Sequence, residues 1–467
     1  MSALSARLGQ VAFAGGLLVA IAWGTSPFSE FDTWWHLREG RHILQTWSLS
    51  GTDPWASFAD RPYVATQWLP ESVAAWTVDA VGLWGVVWLR AMAVIALYLV
   101  IYLLCRQAAG RLPSSLASAM AVLGAGASLN PRPQLVSFVL FAVVYLAWWR
   151  SMKDRRLRWW LVPVFWVWGC CHPLWMFGLL LGIVMSVLLA VRPEDQRPNR
   201  RALVGLNLAC AAVLALTPLG PRLLTVPFDV AGNASWIAEE WRATPFNNVF
   251  AYVTLGMLVT TALLWLRRPA SRPLWQYVVL ALATGMGLWM WRLVPLACVL
   301  AAPLFASALQ DVLGRAIEPG GRRERRAVVV AGVLAVVLAG AVAAGPKGAA
   351  AQTYPGRIGA IGSHLADLPD GTVVLNDFGI SGWLLWAHPE LRPVVDLRVE
   401  IYSADYLRSY IRTEQVRPGW QEYVRDVHPG AALVASDSAL GDALVHRLGW
   451  REVASTPDFL LLVPGDQ

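Results

Sequence analysis

Long apolar runs separated by short arginine-bearing segments make up the first three quarters of the chain. A helix needs roughly 20 mostly apolar residues to cross a bilayer. On that pattern, spans are expected near 8–26, 84–105, 114–129, 134–150, 158–171, 173–191, 202–218, 248–266, 274–291, 293–311 and 327–345, about eleven in all. Residues 27–83 break the series as one long loop. Within it, 70–83 is apolar enough to attract notice, but Glu71 and Asp79 mark it as an interfacial helix rather than a further span. Beyond 352 the period changes. Strand-like runs at Thr372–Asn376, Val394–Arg398, Ala431–Ser436 and Phe459–Val463 alternate with helical stretches such as Tyr406–Thr413 and Ala439–Leu448, the pattern of a small α/β domain.

The fold class expected is therefore an α-helical polytopic membrane bundle followed by a small C-terminal extracytoplasmic α/β domain. The bundle takes 1–346, including the loop 27–83, and the soluble domain takes 352–467. The Ala/Gly-rich stretch Ala343–Ala351 marks the join, and no internal repeat is visible.

Composition supports the membrane reading. The 467 residues are 56% hydrophobic and 15% charged, against about 45–50% and 25% in soluble domains. The 26 tryptophans suit a chain with two membrane–water interfaces. The five cysteines lie in or beside apolar runs, none beyond residue 300, so the C-terminal domain has no disulfide of its own. Their spacing matches no metal-binding pattern.

Charge adds orientation. Residues 1–346 hold 28 Lys+Arg and 16 Asp+Glu, and 347–467 hold 10 and 15. With the N-terminus inside, twenty Lys and Arg fall in inside segments, among them Arg155, Arg200 and Arg323. Only seven fall in outside loops before the tail: Arg38, Arg41, Arg61, Arg132, Arg222, Arg242 and Arg292. That bias follows the positive-inside rule and sends the C-terminal domain outside. The basic excess sits in short loops without a basic aromatic surface, which excludes nucleic acid as a partner. Arg7 before the first apolar run could open a signal peptide, but no small-residue cleavage site follows, and the run reads as a retained anchor.

Unusual polar residues collect on the outer side. The loop opens with Phe31-Asp32-Thr33-Trp34-Trp35-His36-Leu37. A helix starting at Thr33 would have Asp32 as its N-cap and would carry His36 and Glu39 on the same face. Trp34, Leu37, Leu44 and Trp47 would form an opposite apolar stripe, interrupted by Arg41, and lay the helix in the interface plane. Asp32 then either caps that helix or serves chemistry at the outer mouth of the bundle. Asp53 in Thr52-Asp53-Pro54, Glu71, His172 in a tight turn, and Glu239-Glu240-Trp241 lie on the same side. Each alone reads as a structural or solvated group. Together at one face they read as a site, because ionisable groups beside apolar spans are costly to keep. Arg132 and Arg292 oppose the positive-inside bias. They either snorkel to lipid headgroups or hold an anionic group bidentately.

The segments Asp32-Thr33-Trp34-Trp35-His36-Leu37, Thr52-Asp53-Pro54, Gln67-Trp68-Leu69-Pro70-Glu71, Arg132-Pro133-Gln134 and Asp396-Leu397-Arg398 resemble a bacterial group within the GT-C superfamily. Those are integral membrane glycosyltransferases that use polyprenyl-phosphate-linked sugars. The resemblance covers nearly the whole chain. It implies a multi-pass enzyme of the bacterial inner (plasma) membrane, with an N-terminus in the cytoplasm. It would transfer a sugar from a polyprenyl-phosphate-type lipid donor to a glycan, lipid or protein acceptor on the outer face. Asp32 matches the superfamily's general-base position, His36 would orient it or bind phosphate, and Arg132 and Arg292 would stabilise the leaving lipid phosphate. Asp53, Glu71, His172 and Glu240 would line the substrate. The paired acidic residues of many members are absent, since Asp32 lies between Phe31 and Thr33. Whether a divalent metal ion takes part is therefore open.

Two other classes compete. A transporter or flippase of a lipid-linked intermediate calls for polar residues deep in several spans or broken helices in two like halves, and neither is visible. A non-catalytic scaffold would use the C-terminal domain to bind a partner. The topology is testable directly. Alkaline phosphatase fused after residue 352 should be active, and fused after Arg155 inactive. The reverse pattern would invert the orientation.

Overall fold

The computed structural model describes residues 2–28, 30–267, 272–314, 320–345, 358–359 and 361–465, with side chains from residue 7 onward. In chain order the elements begin with α1 (Ser2–Gly24), α2 (Asp32–Thr46), β1 (Ser50–Gly51), β2 (Tyr63–Val64), α3 (Trp68–Val81), α4 (Trp84–Cys105), α5 (Arg111–Gly124), α6 (Gln134–Asp154) and α7 (Leu161–Gly169). They continue with α8 (Trp175–Ala190), α9 (Arg200–Ala212), α10 (Val226–Ile237), α11 (Val249–Arg267), α12 (Leu274–Trp289), α13 (Val294–Leu313) and α14 (Arg322–Ala344). The last are α15 (Ile361–Ala366), β3 (Val373–Asn376), α16 (Ser381–Ala387), β4 (Arg392–Pro393), α17 (Ala404–Glu414), α18 (Trp420–Val427), β5 (Ala431–Ala435), α19 (Ala439–Leu448), β6 (Arg451–Ser455) and β7 (Phe459–Val463).

Two compact units result, and neither is a continuous stretch. The first comprises Met1–Ser26, Val81–Pro227 and Ser235–Ala349, and the second Pro27–Ala80, Phe228–Ala234 and Ala350–Gln467. The division expected from the linear sequence differs: the loop taken as part of the bundle groups with the C-terminal domain instead. Most of the Ala/Gly-rich join, from residue 346, lies outside the described residues, as do Arg268 and Arg315.

The first unit is helical. Among the described residues, six helices are long and apolar enough to cross a bilayer: Arg7–Gly24, Trp84–Cys105, Gln134–Asp154, Val249–Arg267, Trp291–Leu313 and Arg322–Ala344. A bent pair, Arg200–Leu216 and Gly220–Ile237, makes seven if counted as one span. Eleven spans are thus not established. The other apolar runs form helix too, in shorter pieces, and in two of them Pro or Gly marks a limit. In α7, Pro163 stands in the first turn and Gly169 in the last, leaving 9 residues, about 14 Å of rise against a hydrocarbon core of about 30 Å. The 14 residues of α5 end at Gly124 before a 3-10 turn at Gly126–Ser128.

Apolar helices take two roles here that hydropathy does not separate. Fourteen of the 20 residues of α13 are buried, and it packs on α5, α11 and α12. In α14 most residues are exposed, with Val329, Val330, Val333, Leu334 and Val337 on the outside, as suits contact with lipid tails. Close packing relies on small residues. At the α1–α4 crossing, a Cβ on Gly24 would stand 2.5 Å from the Ala91 Cα.

The second unit is built on a five-stranded sheet of order β4-β3-β5-β7-β6. Both neighbours of β3 are parallel to it, and β7 is antiparallel to β5 and β6. The expected strands near 372, 431 and 459 and helices near 406 and 439 all form. The expected strand Val394–Arg398 does not. Pairing stops at Pro393, and the chain turns as the Arg398 N–H bonds Asp396 Oδ1 at 2.8 Å. Edge strand β6 was not expected, because its solvated residues leave little apolar alternation.

In the same unit, α2 is buried on its polar and apolar faces alike, from Asp32 and His36 to Trp34 and Leu37. It packs on α16 and is therefore a core helix, not one lying in an interface plane. Arg41 bridges to Asp79 of α3 at 2.6 Å and lies 4.1 Å over the Trp386 ring. Gly40 marks the α2–α3 crossing: a Cβ there would stand 2.1 Å from the Glu71 carbonyl oxygen. Gly40→Ala should therefore push the helices apart and cost about 1–3 kcal/mol, read as a lower melting temperature in detergent. An unchanged melting temperature would contradict this close approach.

Candidate functional site

The predicted site residues fall into two clusters, one in each unit. In the second unit Asp32 opens α2 as its first helical residue, with Phe31 rather than Asp32 at the cap position. Its Oδ1 accepts the indole N–H of Trp35 at 3.0 Å. The Trp35 ring lies against His36, centroids 3.6 Å apart. His36 Nδ1 is 2.7 Å from Glu71 Oε1. Glu71 is fully buried, and its Oε2 has no hydrogen-bond partner among the described residues. Burial pushes the Glu71 carboxyl up to about 8, and the Arg398 charge pulls against it. A neutral carboxyl fits that setting, since an ionised one would bury a charge with half its acceptors unmet.

Arg398 is the hub of this cluster. It is 1% exposed. Its Nε and Nη2 donate to Asp396 at 3.1 and 2.7 Å in a bidentate fork. Its Nη1 donates to Asp53 Oδ2 and lies 3.7 Å from Glu39 Oε2. The guanidinium also stands 5.3 Å from the Trp55 ring and 5.2 Å from Tyr63. Asp53 Oδ1 takes the backbone N–H groups of Trp55 and Ala56 at 2.9 and 2.7 Å. Burial alone would raise the Asp53 carboxyl, but Arg398 and these donors hold it below the usual range. Glu39 is pushed up to about 8 by burial, against the pull of Arg398 and with help from neighbouring carboxylates. One guanidinium cannot neutralise every carboxylate around it, so protons supply the rest.

The first unit brings Arg132, Glu240, Arg292 and His172 together. Glu240 Oε2 accepts from Arg132 Nη1 at 3.2 Å, and its Oε1 accepts from Arg292 Nη1. Burial would raise the Glu240 carboxyl, but the Arg292 and Arg132 charges overcome it and hold it low. The Arg292 guanidinium lies 5.6 Å from the Trp241 ring, and Trp291 N–H bonds the Arg242 carbonyl at 3.0 Å. His172 Nδ1 accepts the Leu174 N–H at 3.2 Å. Its Nε2 lies 3.3 Å from Arg292 Nη2. Two arginines thus converge on one carboxylate, an arrangement suited to an oxyanion.

The sequence reading missed Trp35 as the partner of Asp32 and Arg90 altogether. Arg90 is buried within α4, donating to the Leu129 carbonyl at 2.6 Å and the Ser26 carbonyl at 2.9 Å. A lone arginine inside an apolar run was the available signal. Among the described residues, no group of three or more His, Cys, Asp or Glu could hold a metal ion.

No family model matches the chain, and no curated protein matches it in sequence. Its fold does have known counterparts. ArnT from Cupriavidus metallidurans in the apo state aligns over 99% of this chain and 100% of its own, at 14% identity and a TM-score of 0.52. The same ArnT bound to undecaprenyl phosphate aligns over 100% of both chains at 14% identity, with a TM-score of 0.50. The Archaeoglobus fulgidus oligosaccharyltransferase, tethered to an acceptor peptide with an NVT sequon, aligns over 91% of this chain and 69% of its own, at 12% identity and a TM-score of 0.54. Both are GT-C membrane glycosyltransferases.

This chain has the GT-C fold. The resemblance read from the motifs around Asp32 and Arg132 holds at the level of fold, and the apolar helices make the chain a multi-pass membrane protein.

The Glu71 environment has a pH signature. An unfolded glutamate titrates near 4.3 and Glu71 in the fold near 8. Between those values the folded state holds the extra proton, so stability should fall as pH rises through that window. Glu71→Gln keeps the shape and removes the titration. Its melting temperature should change less than the wild type's between pH 5 and pH 8.5. Parallel profiles would show that Glu71 is ionised in the fold.

Proposed function

We propose that this protein is a glycosyltransferase that moves a sugar from a polyprenyl-phosphate-type lipid donor to an acceptor hydroxyl on the outer face of a bacterial inner membrane. The observation that carries this reading is the convergence of Arg132 and Arg292 on a single anion, the Glu240 carboxylate, beside His172. A lipid phosphate leaving the anomeric carbon needs such a seat for its charge. ArnT solved with undecaprenyl phosphate, a chain of the same fold, supports the class of donor. The peptide tethered in the oligosaccharyltransferase supports a large acceptor, with glycan and lipid as the other candidates.

In the proposed reaction Asp32 is the general base. The acceptor oxygen attacks the anomeric carbon and its proton passes to the Asp32 carboxylate. The bond from that carbon to the phosphate oxygen breaks, and the phosphate departs with the electron pair. The Trp35 N–H fixes the rotamer of Asp32 by holding Oδ1. Arg132 and Arg292 neutralise the departing phosphate, and His172, 3.3 Å from Arg292 Nη2, lines the same seat. His36 positions the base through its contact with Trp35 and is itself held by Glu71. Asp53 is occupied by Arg398 and two backbone donors, so we assign it to support of the fold rather than to substrate.

Removing a catalytic base typically costs about 10²–10⁴-fold in rate. Asp32→Asn should lose turnover on that scale yet stay folded, because an Asn oxygen still accepts the Trp35 N–H. Arg292→Lys should also weaken transfer, since an ammonium cannot reproduce the guanidinium fork. The measurement is transfer from radiolabelled polyprenyl-phosphate sugars by purified protein in liposomes, run with and without EDTA to test for a divalent metal ion. Near-normal transfer by Asp32→Asn would remove Asp32 as the base. Absence of transfer by the wild type, with movement of the lipid across the bilayer, would favour a flippase.

A further inference from the structure

The first unit has a second concentration of positive charge, at the opposite end of α6. Arg132 precedes the first residue of α6, whereas Arg150 lies near its last turn, roughly 24 Å away along the axis at 1.5 Å per residue. There the ends of α4 and α6 and the start of α14 surround a cavity of about 440 Å³. Its lining includes Arg106, Arg150, Lys153 and Arg325, with Glu324 as the one acidic side chain.

The charges in this cavity do not cancel. The Glu324 carboxylate is already taken: it accepts from Arg106 Nε at 2.6 Å and Nη2 at 3.1 Å and from the Tyr102 hydroxyl at 2.9 Å, with Arg111 Nε at 3.6 Å. The Lys153 ammonium donates to the Gln107 carbonyl, a neutral group that leaves its charge uncompensated. The side chains of Arg150 and Arg325 have no hydrogen bond or ion pair among the described residues. Among the described lining residues, three cations therefore share a concave site whose single carboxylate is taken by Arg106, while Asp154, outside the lining, pairs with Arg158. Topogenic bias and the helix dipoles explain why basic residues sit at the ends of α4 and α6. They do not explain why the residues converge on a cavity, since snorkelling side chains would splay outward and lower their mutual repulsion.

We propose that this cavity binds a phosphate-bearing anion, gripped by the guanidiniums of Arg150 and Arg325 and by the Lys153 ammonium. Arginine forks match phosphate oxygens bidentately. The volume lies within the range of small-molecule sites, roughly 300–1,000 Å³, so a diphosphate or the headgroup of an anionic lipid fits where one water-sized ion would rattle. This site is independent of the glycosyltransferase reading and of the seat formed by Arg132 and Arg292.

The test uses full-length protein carrying Arg132→Gln/Arg292→Gln, which silences the other anion seat, in phosphatidylcholine nanodiscs. Pyrophosphate binding is measured by calorimetry, and retention of phosphatidylglycerol by native mass spectrometry. At least one probe should bind, and Arg150→Gln/Arg325→Gln should weaken it at least tenfold. Arg150→Lys/Arg325→Lys keeps the charge and should recover part of that loss, which also guards against a variant that fails to fold. Pyrophosphate binding points to a soluble ligand, and phosphatidylglycerol retention alone to a lipid headgroup; either supports the site. Binding of neither probe, or binding unaffected by the double Gln variant, overturns the proposal.

Discussion

The Arg398 guanidinium, removed from water and surrounded by carboxylates of Glu39, Asp53 and Asp396, holds together segments that are more than three hundred residues apart in the chain. A buried charge of this kind is tolerable only when its partners are in place, so the α2 helix, the Thr52-Asp53-Pro54 turn and the segment after β4 must take up their positions together. That requirement explains why residues 27–80 form one compact unit with the C-terminal domain and not with the helices that flank them in sequence. It also explains why Val394–Arg398 leaves the sheet: the backbone turns to bring the Asp396 carboxylate and Arg398 guanidinium face to face.

The same constraint shapes the electrostatics around Asp32. Arg398 supplies one positive charge, and nearby carboxyls that it does not satisfy, Glu39 and Glu71, are pushed up to about 8. Asp32, in the same unit, accepts the indole N–H of Trp35. In the first unit the balance is reversed. Two guanidiniums outnumber the one carboxylate between them, so Glu240 stays ionised and the cluster retains positive charge. The two clusters thus differ in their balance of charge: carboxyls outnumber the cation in one, and guanidiniums outnumber the carboxylate in the other.

Much of this was legible in the residue order, and the reasons are local. Apolar runs show that helices of the first unit are made for lipid or for a greasy interior, because burial of apolar surface depends on composition. The α/β alternation near 372, 431 and 459 was readable because strands and helices impose different periods. Motifs around Asp32 and Arg132 pointed to the GT-C fold, which the match to ArnT and the oligosaccharyltransferase supports. The number of spans was less legible, because Pro163 and Gly169 bound a 9-residue helix without making its sequence less apolar.

By itself the sequence determined the helical membrane class, the position of the sheet domain and which side chains carry charge. Tertiary structure alone decided which of those charges meet. Arg398 reaches Asp53 and Glu39, and Arg132 and Arg292 share Glu240, across separations that no local periodicity encodes. It also decided that the first turns of α2 are buried on polar and apolar faces alike: its apolar stripe is compatible with an interface, and packing on α3 and α16 makes Trp34 and Leu37 core. Period and composition report what one segment prefers, whereas the pairing of ionisable groups is settled by the whole chain's need to leave no buried charge alone.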